Sequence, residues 1–133
     1  MHYFPGSDEI SSDRFSIDIA AECLKRHGIP YVIGKIWTTD AFYREAPAVI
    51  GERKLQGCIA VDMECSASLA VAKFRDIPVI QFFYGADSLD GHKWEMRNLT
   101  DYGISHSDTY MTIALECGIA SETMGGVGAS PTQ

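Results

Sequence analysis

A chain of 133 residues, 46% hydrophobic and 22% charged, has the make-up of one soluble globular domain and enough apolar material for a real core. Its net charge of −7 argues against a nucleic-acid partner, because a phosphate backbone selects a basic face. No apolar run reaches the ~20 residues of a bilayer-spanning helix, and Cys23, Cys58, Cys65 and Cys117 show neither CxxC nor CxxH spacing, which speaks against a zinc or other metal site.

The opening MHYFPGSDEISSDRF lacks the charged-then-apolar build of a secretion signal, so the expected setting is the cytoplasm, with reduced thiols. In RFSIDIAAECLKRH, residues 14–27, apolar groups at Phe15, Ile17, Ile19, Ala20, Cys23 and Leu24 predict an amphipathic helix. Ser12 or Asp13 stands where a cap belongs, Gly28 where a helix ends, and Pro30 bars continuation. The β-rich YVIGKIWT, 31–38, predicts a strand. Residues 40–56 read as a loop and then a short helix or turn, and GCIAVDM, 57–63, as a second buried strand. The Ala-rich ECSASLAVAKFR, 64–75, predicts a mostly buried helix, and PVIQFFY, 78–84, a third strand. A long polar loop follows, with a helical turn placed around 92–98, before a last helix over 105–118. The Gly- and Ser-rich end, 121–133, reads as a disordered tail behind a domain over 1–120. Its GGVG is no phosphate loop, since no helix follows it.

The order helix, strand, strand, helix, strand, helix implies an α/β protein, a layered α/β/α arrangement around a mixed, partly parallel central sheet. Ligands of such sheets bind beyond the carboxyl ends of the strands. Three polar clusters fall there: Thr38-Thr39-Asp40, Asp62-Met63-Glu64 and Asp87-Ser88. Glu64 reads either as a helix-start carboxylate offsetting the macrodipole, worth ~0.3–1 kcal/mol, or as a ligand. Asp62, two residues earlier and so on the same face of a strand, favours the second reading: two carboxylates there suit the hydroxyls of a sugar diol. Asp87 reads either as an Asx turn leaving a strand or as a general acid raised by apolar surroundings. Phe42 and Tyr43 are placed to stack on a flat ligand or to pack under their loop. Met63 reads as a core methionine or as a cover for a ribose face. His92, Trp94 and Arg97 belong either to a lid or to a solvated loop.

These residues also carry a resemblance. AVDMECSA at 60–67, KIWTTDAFYRE at 35–45 and FFYGADSLDGHKWEMRNL at 82–99 resemble, in order and spacing, segments of the nucleoside phosphorylase family of purine nucleoside and uridine phosphorylases and related nucleosidases. The resemblance runs over about residues 2–118. It implies that Glu64 binds the ribose hydroxyls, that Met63 packs on the sugar and that Asp62 lies near the 2′-hydroxyl, where many members have Glu. It implies further that Phe42 stacks on the base, that Asp87 protonates or hydrogen-bonds the purine N7 as the base leaves, and that Arg97 assists Asp87. Arg44 follows the FY pair but no Gln does, which favours a purine over uracil.

The implied reaction is phosphorolysis of an N-glycosidic bond, with inorganic phosphate as co-substrate, no other cofactor, and neither nucleic acid nor membrane as partner. The alternatives are a hydrolytic nucleosidase and a non-catalytic nucleoside-binding or assembly fragment. The family's Gly-rich phosphate loop does not precede HYFP, so the chain resembles the C-terminal half of that fold. The expectation is a homo-oligomer or a partner supplying the N-terminal half, with little activity alone.

Overall fold

The computed structural model describes residues 5–85, 87–88, 95–96 and 106–125. The chain divides into two compact units, residues 1–14 with 30–79, and residues 15–29 with 80–133.

The first unit is built on a strand–helix–strand crossover. Strand β1 (Lys35–Thr38) pairs in parallel with β2 (Cys58–Asp62), and between them run a single 3₁₀ turn at Phe42–Arg44 and helix α2 (Pro47–Leu55). Pro47 opens α2, where its missing N–H is no loss. Gly57, at φ +84°, ends the helix connection with its N–H on the Lys54 carbonyl. The Arg53 guanidinium lies 5.5 Å over the Trp37 ring and ties α2 to β1. The pairing sets Thr38 opposite Asp62, and the Thr39 N–H extends the ladder to the Asp62 carbonyl at 2.8 Å. Gly34 is required just before β1, since a side chain there would run into Ile59.

Helix α3 (Cys65–Arg75) follows β2 after two residues. It buries Cys65, Leu69 and Ala72, which recur at one face of a 3.6-residue period. Its end is a Schellman turn: Ile77 N–H reaches the Ala72 carbonyl at 3.1 Å and Asp76 N–H the Lys73 carbonyl at 3.4 Å. Asp76 takes the left-handed position at φ +52°, a conformation glycine adopts more cheaply.

The second unit holds helix α1 (Arg14–Arg26), a short antiparallel pair β3 (Asp87–Ser88) and β4 (Glu95–Met96), and helix α4 (Ser107–Gly125). α1 buries Ser16, Ile19, Ala20, Cys23 and Leu24, the i, i+3, i+4, i+7, i+8 stripe of an amphipathic helix. Its end is a second Schellman turn. Gly28, at φ +67°, donates to Lys25 and Ile29 donates to Leu24, both at 3.0 Å. The core joins Ile19, Cys23 and Leu24 of α1 to Ile113 and Cys117 of α4, with Ile29, Ile80, Phe82 and Ala120 packed on it. Tyr84 stacks on Tyr110 of α4, ring centroids 4.9 Å apart.

The α/β class, the parallel pairing and the helices at 14–26 and 65–75 agree with the sequence reading. Four expectations are corrected. Residues 78–84 form no strand. PVIQFFY alternates as a strand does, with Ile80 and Phe82 packed on the core, but no neighbour supplies a ladder, so the strands described form two separate pairs and no single central sheet. The helical turn placed around 92–98 is replaced at Glu95–Met96 by β4, and its other residues lie outside those described. The last helix runs on to Gly125, so residues 121–125, expected in the tail, are helical, while 126–133 lie outside the described residues. The strands and α3 are less buried than expected: Ile59 on β2 is 57% exposed, and Val71 and Phe74 on α3 are exposed.

Candidate functional site

The two acids at the end of β2 do different jobs. The strand stops at Asp62, so the strand period does not carry Glu64 onto the same face as Asp62. Glu64 instead occupies the N-cap position of α3 at φ −124°, ψ −22°, with no side-chain cap bond. The capping is done by Asp62. Its Oδ2 accepts the Glu64 N–H at 3.0 Å and the Cys65 N–H at 2.6 Å, amides at the start of α3 that have no partner within the helix.

Its Oδ1 accepts the Thr38 hydroxyl at 2.7 Å, and Thr38 Oγ1 in turn accepts the Ser66 N–H at 3.2 Å. Thr38 thereby joins β1, β2 and α3 through one hydroxyl. Its signal is the parallel register that sets it opposite Asp62, which the sequence alone does not display. The nearby Cys65 thiol is pushed up, first by burial and then by the negative charge of Asp62.

This bracing leaves the turn's own side chains outward. Met63 is 45% exposed. Glu64 is exposed, and among the described residues its carboxylate has no hydrogen-bond or ion-pair partner. A negative side chain beside the open amides of a helix start is tolerated electrostatically and remains available to a ligand's hydroxyls.

The other half of the rim follows β1. Thr39 is buried, and its hydroxyl oxygen both donates to the Ala41 carbonyl at 3.2 Å and accepts the Ala41 N–H at 3.4 Å, a turn held by a side chain. That turn leads into the 3₁₀ segment that displays Phe42 and Tyr43. Phe42 is 73% exposed and meets the Tyr43 ring edge-on at 5.7 Å. It does not pack under its loop, so the ring face is offered to solvent. Arg44 pairs with Asp40 at 3.2 Å on the surface.

Phe42, Asp62, Met63 and Glu64 all belong to the first unit and to loops leaving the ends of β1 and β2. Asp87 belongs to the second unit, where its backbone opens β3 opposite Met96. Arg97 lies outside the described residues, as do His92 and Trp94. A groove of about 400 Å³ lined by Ser11, Leu69, Ala72, Asp76 and Val79 sits toward the other end of α3 from Glu64. Among the described residues no three His, Cys, Asp or Glu side chains are arranged to hold a metal ion, and no helix is long and apolar enough to cross a membrane.

A parallel strand pair joined through a helix, with its polar residues where the strands end, defines an α/β protein that presents its rim to ligands. Residues 1–109 match the family model described as Phosphorylase superfamily, and the chain belongs to that superfamily. An uncharacterized protein of Acanthamoeba polyphaga mimivirus is 32% identical over 83 residues, which take in 60% of this chain and 33% of the relative. The chain thus spans about a third of the length of the curated relative it matches. No solved structure matches it.

Proposed function

We propose that the rim after β1 and β2 is the ribose-and-base half of a nucleoside phosphorylase site. In this reading Glu64 takes the ribose hydroxyls, Met63 covers the sugar face and Phe42 stacks on a purine. The observation that carries it is the division of labour at the end of β2: Asp62 has both oxygens engaged by protein donors, and the Glu64 carboxylate is left exposed on a braced turn. Asp62 then serves the sugar from one step back, by holding the turn, with its remaining lone pairs facing the 2′-hydroxyl region. Asp87, assisted by Arg97, neutralises the departing base. Inorganic phosphate captures the anomeric carbon, giving free base and ribose 1-phosphate. Membership of the superfamily supports a reaction of the phosphorylase or nucleosidase kind. The purine preference rests on the FYREAPAVIG loop, which carries Arg44 and no Gln.

A second reading is favoured by one observation, the third of its relative's length that the chain spans. In that reading this chain binds nucleoside without turning it over, and a second copy or a further polypeptide supplies the phosphate-binding half. The setting proposed for either reading is the cytoplasm, where Cys23, Cys58, Cys65 and Cys117 stay unpaired.

Calorimetry with inosine, with and without phosphate, tests the site. The expected result is saturable binding by the parent chain and its loss in Glu64→Ala. Equal binding by the two chains overturns the ribose role of Glu64. Release of free base only in the presence of phosphate separates phosphorolysis from hydrolysis. Binding without release supports the second reading.

A further inference from the structure

We propose that Cys23 and Cys117 form an oxidant-responsive thiol pair, with Cys23 attacking a hydroperoxide and Cys117 closing a disulfide between α1 and α4. The two residues sit in the same core cluster, at 1% and 2% exposure, and their thiols hydrogen-bond to each other across the helix pair. Burial of a cysteine in a core is ordinary. Two features make this pair different from a packing contact.

The first is a cation on one sulfur. Arg26, one turn on from Cys23, donates from Nη2 to Cys23 Sγ at 3.2 Å while its side chain remains 53% exposed. The guanidinium therefore links the buried sulfur to the surface and favours its thiolate, the nucleophilic form. Glu116 of α4 holds that guanidinium at 3.4 Å and also meets His27 Nε2 at 3.1 Å, so the Arg26 head is fixed over the pair from both helices.

The second is the asymmetry between the two thiols. Burial, and then the hydrogen bond with Cys23, push Cys117 up to about 12, so Cys117 keeps its proton. One sulfur is thus prepared for attack and its neighbour for donation.

The chemistry balances with a hydroperoxide as oxidant. The Cys23 thiolate attacks the peroxide oxygen, the O–O bond breaks, and hydrogen peroxide leaves as water after taking a proton, with Cys23 as sulfenic acid. The Cys117 sulfur then attacks the sulfenic sulfur, the S–O bond breaks, and the hydroxyl departs as a second water with the Cys117 proton. Two thiols have lost two electrons and one peroxide has gained them. The sulfurs, already in contact, draw in to the about 2.05 Å of a disulfide. Cys58 and Cys65 have no such cation.

The full chain treated with dilute hydrogen peroxide and digested without reductant decides the matter. The expected product is a peptide pair linked through Cys23 and Cys117, lighter than the reduced pair by two hydrogens and reopened by dithiothreitol. The bridge spans most of the chain, so Tm should rise by roughly 10 °C. Cys117→Ser should stop at a Cys23 sulfenic acid that dimedone traps. Arg26→Ala, a change at an exposed side chain, should slow the oxidation several-fold, and it decides the case if the serine variant does not fold. Oxidation of Cys58 or Cys65 while Cys23 and Cys117 stay reduced overturns the proposal, and so does an Arg26→Ala chain that oxidises at the parent rate.

Discussion

Replacing Asp62 by alanine separates two accounts of the β2 rim by the sign of the stability change. If Asp62 and Glu64 were a pair of ligand carboxylates, removing one from the ligand-free chain would relieve repulsion and leave stability unchanged or higher. If Asp62 is the brace that the hydrogen bonds describe, removal is costly. It loses two backbone donors at 2.6 and 3.0 Å and the Thr38 hydroxyl at 2.7 Å. Loss of an N-cap costs about 0.5–2 kcal/mol, and a hydrogen bond to a charged group contributes about 1.5–3 kcal/mol. These do not add, because water reaches the exposed Glu64 amide and replaces part of what is lost. A total of about 2–3 kcal/mol is expected, which for a chain of this size lowers Tm by roughly 8–12 °C.

Asp62→Asn keeps one oxygen for the helix amides and turns an NH₂ toward Thr38, whose hydroxyl can accept it, so the cost should fall to about 1 kcal/mol, mainly the helix-dipole contribution. Thr38→Val should cost about 1–2 kcal/mol, and the double variant should lose less than the sum, with about 0.5–1.5 kcal/mol of coupling. Urea unfolding followed by circular dichroism reads the stabilities, and hydrogen exchange at the 64 and 65 amides reads the site itself. An Asp62→Ala chain within about 0.5 kcal/mol of the parent, with unchanged exchange at those amides, refutes the brace.

Other outcomes follow from the same geometry. Glu64→Ala should change stability by less than about 1 kcal/mol, since its side chain has no partner among the described residues, so any loss of nucleoside binding there is not a folding defect. Asp76→Gly should stabilise the chain by about 0.5–1 kcal/mol in urea unfolding, because Asp76 holds the left-handed position at φ +52° that ends α3. Stability should fall as pH rises above about 9. The unfolded Cys117 releases its proton near the ordinary value of 9.0, whereas the folded residue holds it to about 12, so between those values the unfolded chain binds fewer protons and is favoured. Cys117→Ala should flatten that decline, which pH-dependent unfolding curves will show.

Much of the local structure was legible because it rests on local rules. The stripe of α1, the glycine at Gly28 and the following Pro30 are all written within one stretch of chain, and the helix ends where they place it. The parallel pairing of β1 and β2 was legible from alternation of elements. PVIQFFY shows where such rules stop. Its alternation puts Ile80 and Phe82 inward, as a strand would, yet a strand also needs hydrogen-bonding neighbours, and their presence is a property of the whole arrangement. Burial was misjudged for the same reason: Ile59 is apolar, but its exposure depends on what covers β2.

The site shows the limit most sharply. In AVDMECSA, Asp62 and Glu64 look alike, two acids spaced for one face of a strand. That spacing has meaning only while the strand continues, and β2 ends at the first of them. Beyond that point a helix start sets the geometry, and its open amides claim the nearest carboxylate that can reach back. Asp62, short and already fixed by Thr38 across the parallel register, is placed to reach them, while Glu64 enters the helix from the cap position and points its carboxylate elsewhere. The acid that looks like the stronger partner in a strand is therefore the one spent on architecture, and the acid that looks like an ordinary helix-start residue is the one left free for chemistry.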